Sequence, residues 1–264
     1  MNVPSRFDIT DSTITEEREC ETHGSYLSVQ LFGCHWSQCP VCSKNEQDEY
    51  DRKREIYIQE EARNRWIGTL RISGIPERFR NRRLSTFVAS TKKQKEALSF
   101  AIEFENDLNN ANGRCAIFVG TPGTGKTHLA IGVGIERLKR ENTVLFTTVF
   151  KAVRKVKESW SKDTRETESE IIESMVSPSL LILDEVGVQF GSDTEKIILF
   201  DILNDRYEKR KSTILISNLT INEVKSYLGE RIFDRFREDN GGFVVFDWKS
   251  YRGNENSAKA QGSK

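Results

Sequence analysis

The sequence has no excess charge of either sign: 40 Lys and Arg residues balance 40 Asp and Glu residues over 264 positions. No global field therefore marks a nucleic-acid binder, and any basic surface has to be local. No apolar run approaches the 18 residues that a membrane-spanning helix needs. The first eight residues, MNVPSRFD, lack the apolar core of a signal peptide, so the expected compartment is the cytoplasm. Cysteine is sparse, with five residues. In a reducing compartment this argues against a disulfide framework and for metal ligands or plain thiols. No internal repeat is visible.

What is present falls into segments. Residues 1–19 are polar and expected to be poorly ordered. Residues 20–45 hold four of the five cysteines. Residues 46–75 are charged and read as a helical linker. Residues 76–252 alternate strand-like and helix-like runs, the pattern of an α/β domain with a parallel sheet. Residues 253–264 have the composition of a disordered tail.

Residues 120–127 read GTPGTGKT, the full G-x-x-x-x-G-K-[ST] spacing of a phosphate-binding loop. A strand-like run, Cys115 to Val119, precedes it, and a helix-like run, His128 to Leu138, follows. The glycines Gly120, Gly123 and Gly125, with Thr121, Pro122 and Thr124 between them, let backbone N–H groups curl around phosphate oxygens. The helix start that follows, Lys126-Thr127-His128, adds its positive dipole end. Lys126 is expected to reach the β- and γ-phosphates and the Thr127 hydroxyl to bind Mg²⁺. The nucleotide contacts thus expected run from Gly120 to His128.

Leu180-Leu-Ile-Leu-Asp184-Glu185 describes a buried strand ending in two carboxylates. Ligands of open parallel sheets bind at that edge. Asp184 is expected to hold Mg²⁺ and Glu185 to polarise the attacking water. Val144 to Val149 supplies an intervening strand, and a helix is expected from about Phe150 to Trp160. A later apolar strand, Ser212 to Ser217, ends in Asn218, whose amide can help place the water.

The cysteine-rich head contains Cys20-x-x-His23 and Cys39-x-x-Cys42. Two-residue gaps let two ligands reach one ion from a single turn. Three thiolates and one imidazole fit tetrahedral Zn²⁺ in a structural rather than catalytic site. Cys34 and His35 are alternative ligands. A strand is expected from Tyr26 to Phe32, between the pairs. Cys115 reads as a small buried apolar residue. From Arg63 to Arg83, seven arginines face one acid, Glu77, with Trp66 and Phe79 interleaved. A local nucleic-acid surface and internal ion pairing both remain open there.

Together these runs resemble the AAA+ ATPases of the DnaC helicase-loader family. The resemblance spans about residues 76–252. It rests on GIPERF at 74–79, GTPGTGKTHLA at 120–130, LLILDEVGVQ at 180–189, SNL at 217–219, LGERIFDRFR at 228–237 and FDWKSYR at 246–252. The fold it implies is an AAA+ P-loop core with a central parallel sheet flanked by helices, preceded by a small zinc-binding module. The resemblance implies an ATPase using ATP and Mg²⁺, with Lys126 and Thr127 as Walker A, Asp184 and Glu185 as Walker B, and Asn218 as sensor 1. It implies Arg252 as sensor 2 in cis and Arg235 as an arginine finger in trans. It further implies a replicative DNA helicase and single-stranded DNA as partners, no membrane, and self-association into an open helical oligomer. The DNA contact would come from Phe150, Lys151, Arg154, Lys155, Lys157 and Trp160. The sister group of IstB-type transposition ATPases shares this core, and a nucleotide-gated adaptor with little hydrolysis is a third reading.

Overall fold

The structure is a computed structural model; it describes residues 14–31, 35–108, 113–161, 164–188, 192–238 and 240–252. The chain divides into two compact units, one through Ile67 and one from Gly68 onward.

In the first unit, three antiparallel strands lie in the order β1 (Thr15–Cys20), β2 (Gly24–Leu31), β3 (His35–Trp36). The first pair runs in register from Thr15 opposite Val29 to Cys20 opposite Gly24. The expectation of a poorly ordered segment through residue 19 is thereby corrected from Thr15 onward. The reason is pairing: β2 supplies the ladder partners that a run of charged residues does not advertise by its own pattern. The strand expected over Tyr26–Phe32 is β2, displaced by two residues at its start; Phe32 lies outside the described residues. Helix α1 (Pro40–Ile72) begins inside the cysteine segment, with proline at its first position, where its missing N–H costs no hydrogen bond.

The second unit is built on a five-stranded parallel sheet. Its strands are β4 (Cys115–Gly120), β5 (Val144–Thr148), β6 (Leu180–Asp184), β7 (Ser212–Ser217) and β8 (Gly242–Phe246), in the spatial order β5-β6-β7-β4-β8. Its inner strands are apolar on both faces, as a doubly covered parallel sheet requires: Ala116, Ile117, Phe118, Leu181, Ile182 and Leu183 are fully buried. The odd-numbered residues of β4, β6 and β7 pack against α4 (Val149–Glu158), α5 (Glu168–Val176), α6 (Asp193–Glu208), α7 (Ile221–Leu228) and α8 (Glu230–Arg235). The other face is covered by α2 (Lys92–Asp107) and α3 (Lys126–Lys139): Phe100 meets Phe118 edge-on, and Gly134 sits against Ile182. Helices α2, α5 and α7 each open with a reciprocal capping box, Thr91 with Gln94, Thr167 with Glu170 and Thr220 with Glu223.

A cation, Arg206, lies deep in the core. Arg206 is fully buried, and burial pushes its pKa down to about 10. Its Nη1 donates to the carbonyls of Met175, Val176 and Pro178, each at 2.9 Å, and its Nε donates to Thr213 Oγ1 at 2.9 Å. Its Nη2 donates to the Ser212 carbonyl. The guanidinium thus satisfies the C-terminal carbonyls of α5 at the start of β7.

Candidate functional site

Strand β4 delivers the chain to Gly120 and α3 resumes at Lys126, so the phosphate loop is the connection between them. Gly123 and Gly125 adopt positive φ of 80° and 99°. A β-carbon on Gly123 would collide with Ser250 Oγ, and one on Gly125 would come within 2.6 Å of the Phe87 ring, so a side chain at either position is strained in φ and displaces a neighbour. Lys126 folds back over the loop, its Nζ donating to the carbonyls of Gly120 at 2.7 Å and Thr121 at 2.8 Å. Burial lowers its pKa to about 8; nearby Arg252 acts in the same direction and Asp184 opposes both.

Asp184 ends β6. Its Oδ2 accepts from Thr127 Oγ1 at 3.0 Å and its Oδ1 from the Glu185 backbone N–H at 2.8 Å. Burial raises its pKa, and those two hydrogen bonds hold it back down. Glu185 is exposed and has φ of +64°, an uncommon conformation for a side-chain-bearing residue. The chain re-enters the sheet directly after it, where the Val186 N–H donates to the Ile216 carbonyl at 2.9 Å. Strand β7, ending at Ser217, lies between β6 and β4, so the exposed Asn218 stands between the carboxylates and the phosphate loop. Arg252 stands against Gly123, with its own N–H on Ser250 Oγ at 3.1 Å. Lys126, Thr127, Asp184 and Arg252, from three separate runs of sequence, therefore meet at one edge of the sheet.

Arg235 is not brought there. It lines a crevice with Cys115 and Thr213, at the opposite ends of β4 and β7 from the phosphate loop. Its Nη1 donates to Asn204 Oδ1, and its guanidinium lies 4.2 Å from the centroid of the Tyr207 ring. His128, expected among the nucleotide contacts, turns its ring elsewhere. Its Nε2 lies 2.9 Å from the Arg83 carbonyl and 3.2 Å from Thr86 Oγ1, and its ring meets Phe87 edge-on. Only the backbone of His128 remains for the loop. Sequence reasoning did not find the contacts made on the loop by residues 246–251; their one signal was the FDWKSYR run itself.

On α4, Val149, Ala152, Val153 and Val156 are buried, which turns Lys151, Arg154, Lys155 and Lys157 outward. Phe150 and Trp160 are exposed at the two ends. Part of this charge is paired: Arg154 with Glu158 and Lys155 with Glu166, and Trp160 Nε1 donates to Glu168 at 2.7 Å.

In the first unit, the ligand atoms of Cys20, His23, Cys39 and Cys42 all lie within 4.8 Å of one another. Cys20 Sγ is 3.6 Å from both His23 Nδ1 and Cys42 Sγ, and His23 Nδ1 is 3.3 Å from Cys42 Sγ and 3.7 Å from Cys39 Sγ. Ligand atoms about 2.0–2.3 Å from a central zinc stand roughly 3.5–3.8 Å apart, so the four have tetrahedral spacing and can hold a metal ion. Without a cation the thiols compete. The Thr22 backbone hydrogen bond, with His23, brings Cys20 down to about 6, while hydrogen bonding to Cys20 pushes Cys42 up to about 11. His35 is on β3 and outside this group; Cys34 lies outside the described residues. Cys115 is buried in β4, as expected of an apolar thiol.

Comparison with known proteins agrees with this geometry. The family model described as IstB-like ATP binding protein matches residues 87–252. The replicative helicase loader DnaC of Buchnera aphidicola subsp. Acyrthosiphon pisum is 33% identical over 198 residues, covering 75% of this chain and 80% of its own length. A crystal structure of the DnaC helicase loader shares the fold with a TM-score of 0.58 at 24% identity, covering 65% of this chain and all of the other. The AMPPCP-bound DnaA of Aquifex aeolicus matches with a TM-score of 0.55 at 26% identity, over 64% of this chain and 51% of the other. The protein belongs to the IstB-like ATP-binding family of AAA+ P-loop proteins, together with the DnaC helicase loaders.

Proposed function

We propose that this protein is an ATP-dependent loader of a replicative helicase onto single-stranded DNA. The observation that carries the reading is the convergence of Lys126, Thr127, Asp184 and Arg252 at one sheet edge in a chain one-third identical to a DnaC loader. Thr127 and Asp184 form an oxygen pair suited to Mg²⁺, which when bound neutralises phosphate charge. Lys126 and Arg252 supply positive charge to the phosphates. Glu185, turned out of the strand end, orients the attacking water, and Asn218 assists from β7. Arg235 faces away from its own site and completes a neighbour's, so turnover depends on head-to-tail assembly into an open helical oligomer. The outward face of α4 offers cations and two aromatics to a single DNA strand. The Cys20, His23, Cys39, Cys42 tetrad binds Zn²⁺ as a structural ion, and the protein acts in the cytoplasm.

The test is steady-state ATPase and helicase loading with and without single-stranded DNA. Glu185→Gln should abolish hydrolysis and arrest loading. A Glu185→Gln protein that loads normally would support the nucleotide-gated adaptor instead. The IstB-type transposition ATPase is the second reading, favoured by the family model over residues 87–252. A transposase encoded beside this gene, and no helicase captured by the protein, would decide for it.

A further inference from the structure

The phosphate loop does not stand alone. Residues 246–252 run along its outer side and touch it at Thr121, Gly123 and Thr124. The Phe246 carbonyl accepts from the Thr121 N–H at 3.2 Å. Ser250 fills the space beside Gly123, and the Tyr251 N–H donates to the Gly123 carbonyl at 2.9 Å. The Trp248 indole Nε1–H donates to the Thr124 carbonyl at 2.9 Å. The strap is held from outside the loop as well: Asp247 pairs with Lys93, and Tyr251 Oη donates to the Val88 carbonyl at 2.7 Å; within the strap, the Trp248 ring lies 4.9 Å from that of Phe246.

Peptide planarity turns these contacts into a statement about the loop. In a trans peptide the C=O and the following N–H point in opposite directions. The strap holds the carbonyls of Gly123 and Thr124 toward itself, so the N–H groups of Thr124 and Gly125 point away from it. Successive N–H groups turned to one side in a turn with left-handed residues make an anion-binding concavity. Gly123 and Gly125, both at positive φ, flank Thr124. Of the two carbonyl anchors, the Tyr251 N–H is backbone and the Trp248 indole is a side chain, so one of them can be changed.

We propose that Trp248 is a positioning residue for nucleotide binding. Its indole N–H fixes the Thr124–Gly125 peptide with the N–H toward the phosphates, and the strap thereby backs the phosphate loop from the outside. The inference rests on the phosphate-loop reading of residues 120–127.

The experiment compares full-length wild type, Trp248→Phe, which keeps an aromatic ring without the donor, and Trp248→His, which restores a ring N–H. Lys126→Ala is the reference. Dissociation constants are measured for ATP and for inorganic tripolyphosphate, with KM, kcat and the melting temperature of the nucleotide-free protein. Losing one such hydrogen bond should weaken both ligands by about three- to tenfold in Trp248→Phe. KM should rise by the same factor with kcat within about twofold, and the nucleotide-free melting temperature should fall by no more than about 2–4 °C, the cost of one hydrogen bond. Trp248→His should recover part of the loss. Unchanged affinity in Trp248→Phe overturns the proposal. So does a loss for ATP alone, which would place the ring on the base. If the Phe protein does not fold, the His protein decides: affinity within twofold of wild type supports the proposal, and any larger loss overturns it. Lys126→Ala binding ATP normally would instead sink the phosphate-loop reading, a separate result.

Discussion

The Thr127 hydroxyl donates a 3.0 Å hydrogen bond to Asp184 Oδ2, joining the first turn of α3 to the end of β6. A half-buried carboxylate facing a hydroxyl beside a cationic lysine is an arrangement a divalent ion can enter by replacing one bond with two. Thr127→Val keeps the volume and removes the oxygen. ATP binding in the presence of a chelator should be nearly unchanged, while the gain in affinity on adding Mg²⁺ should be lost. Hydrolysis should fall by on the order of tenfold or more. Full Mg²⁺ stimulation in this variant would refute the assignment.

Lys126 gives the site a pH dependence with a defined sign. Its folded pKa, about 8, lies below its ordinary value, so the buried ammonium opposes folding at full strength below pH 8, and that opposition fades as pH rises from 8 toward the ordinary lysine value of 10.5. Binding runs the other way, because phosphates require the charged form. ATP affinity should be flat near pH 7 and fall about tenfold per pH unit above 8. Titration of bound nucleotide from pH 7 to 9.5 reads this directly. In Lys126→Arg the break near pH 8 should vanish, and its persistence would assign it to another group.

Arg235 is held by Asn204 and the Tyr207 ring at the sheet edge away from its own phosphate loop. Arg235→Ala should lower stimulated turnover by on the order of 10³ while leaving ATP affinity intact. Mixing Arg235→Ala with Lys126→Ala should recover activity, since each protein supplies what the other lacks. A mixture no more active than its components would remove the intersubunit reading.

The thiol tetrad should carry about one zinc per chain. Cys39 and Cys42 flank the first residues of α1, so metal removal should cost helix at its beginning. Circular dichroism during chelation should show a loss of helical signal that zinc alone restores. Cys39→Ser should already show that loss, and a chelator-insensitive spectrum would refute the metal site.

Arg206 makes a stability prediction unrelated to the active site. Truncation leaves the carbonyls of Met175, Val176, Pro178 and Ser212 buried without a donor. Arg206→Met should cost about 3 kcal/mol or more, and Arg206→Lys should not recover it, because an ammonium lacks the planar fork. Thermal unfolding should show a drop of roughly 6–12 °C for either variant.

Much of the site was legible because its chemistry is local in sequence. The loop at 120–127 and the strand ending in Asp184-Glu185 each carry their own spacing, and the four-residue apolar run of β6 could only be a buried strand. What depended on partners was not legible. Thr15–Cys20 is charged and shows no alternation, so only its pairing with β2 makes it a strand. Arg206 sits in a helix rich in acids and bases, and nothing in that spacing marks one arginine as buried. The His128 ring was drawn away by the Arg83 carbonyl, 45 residues earlier. Trp248 reached the loop from 124 residues away.

The order of the sheet has a consequence of its own. β7 separates β6 from β4, yet Thr127 and Asp184 meet at 3.0 Å across it. In the reading proposed above, whatever enters between them bears on two strands that share no hydrogen bond, so the arrival and the loss of an ion are felt on both sides of the strand between.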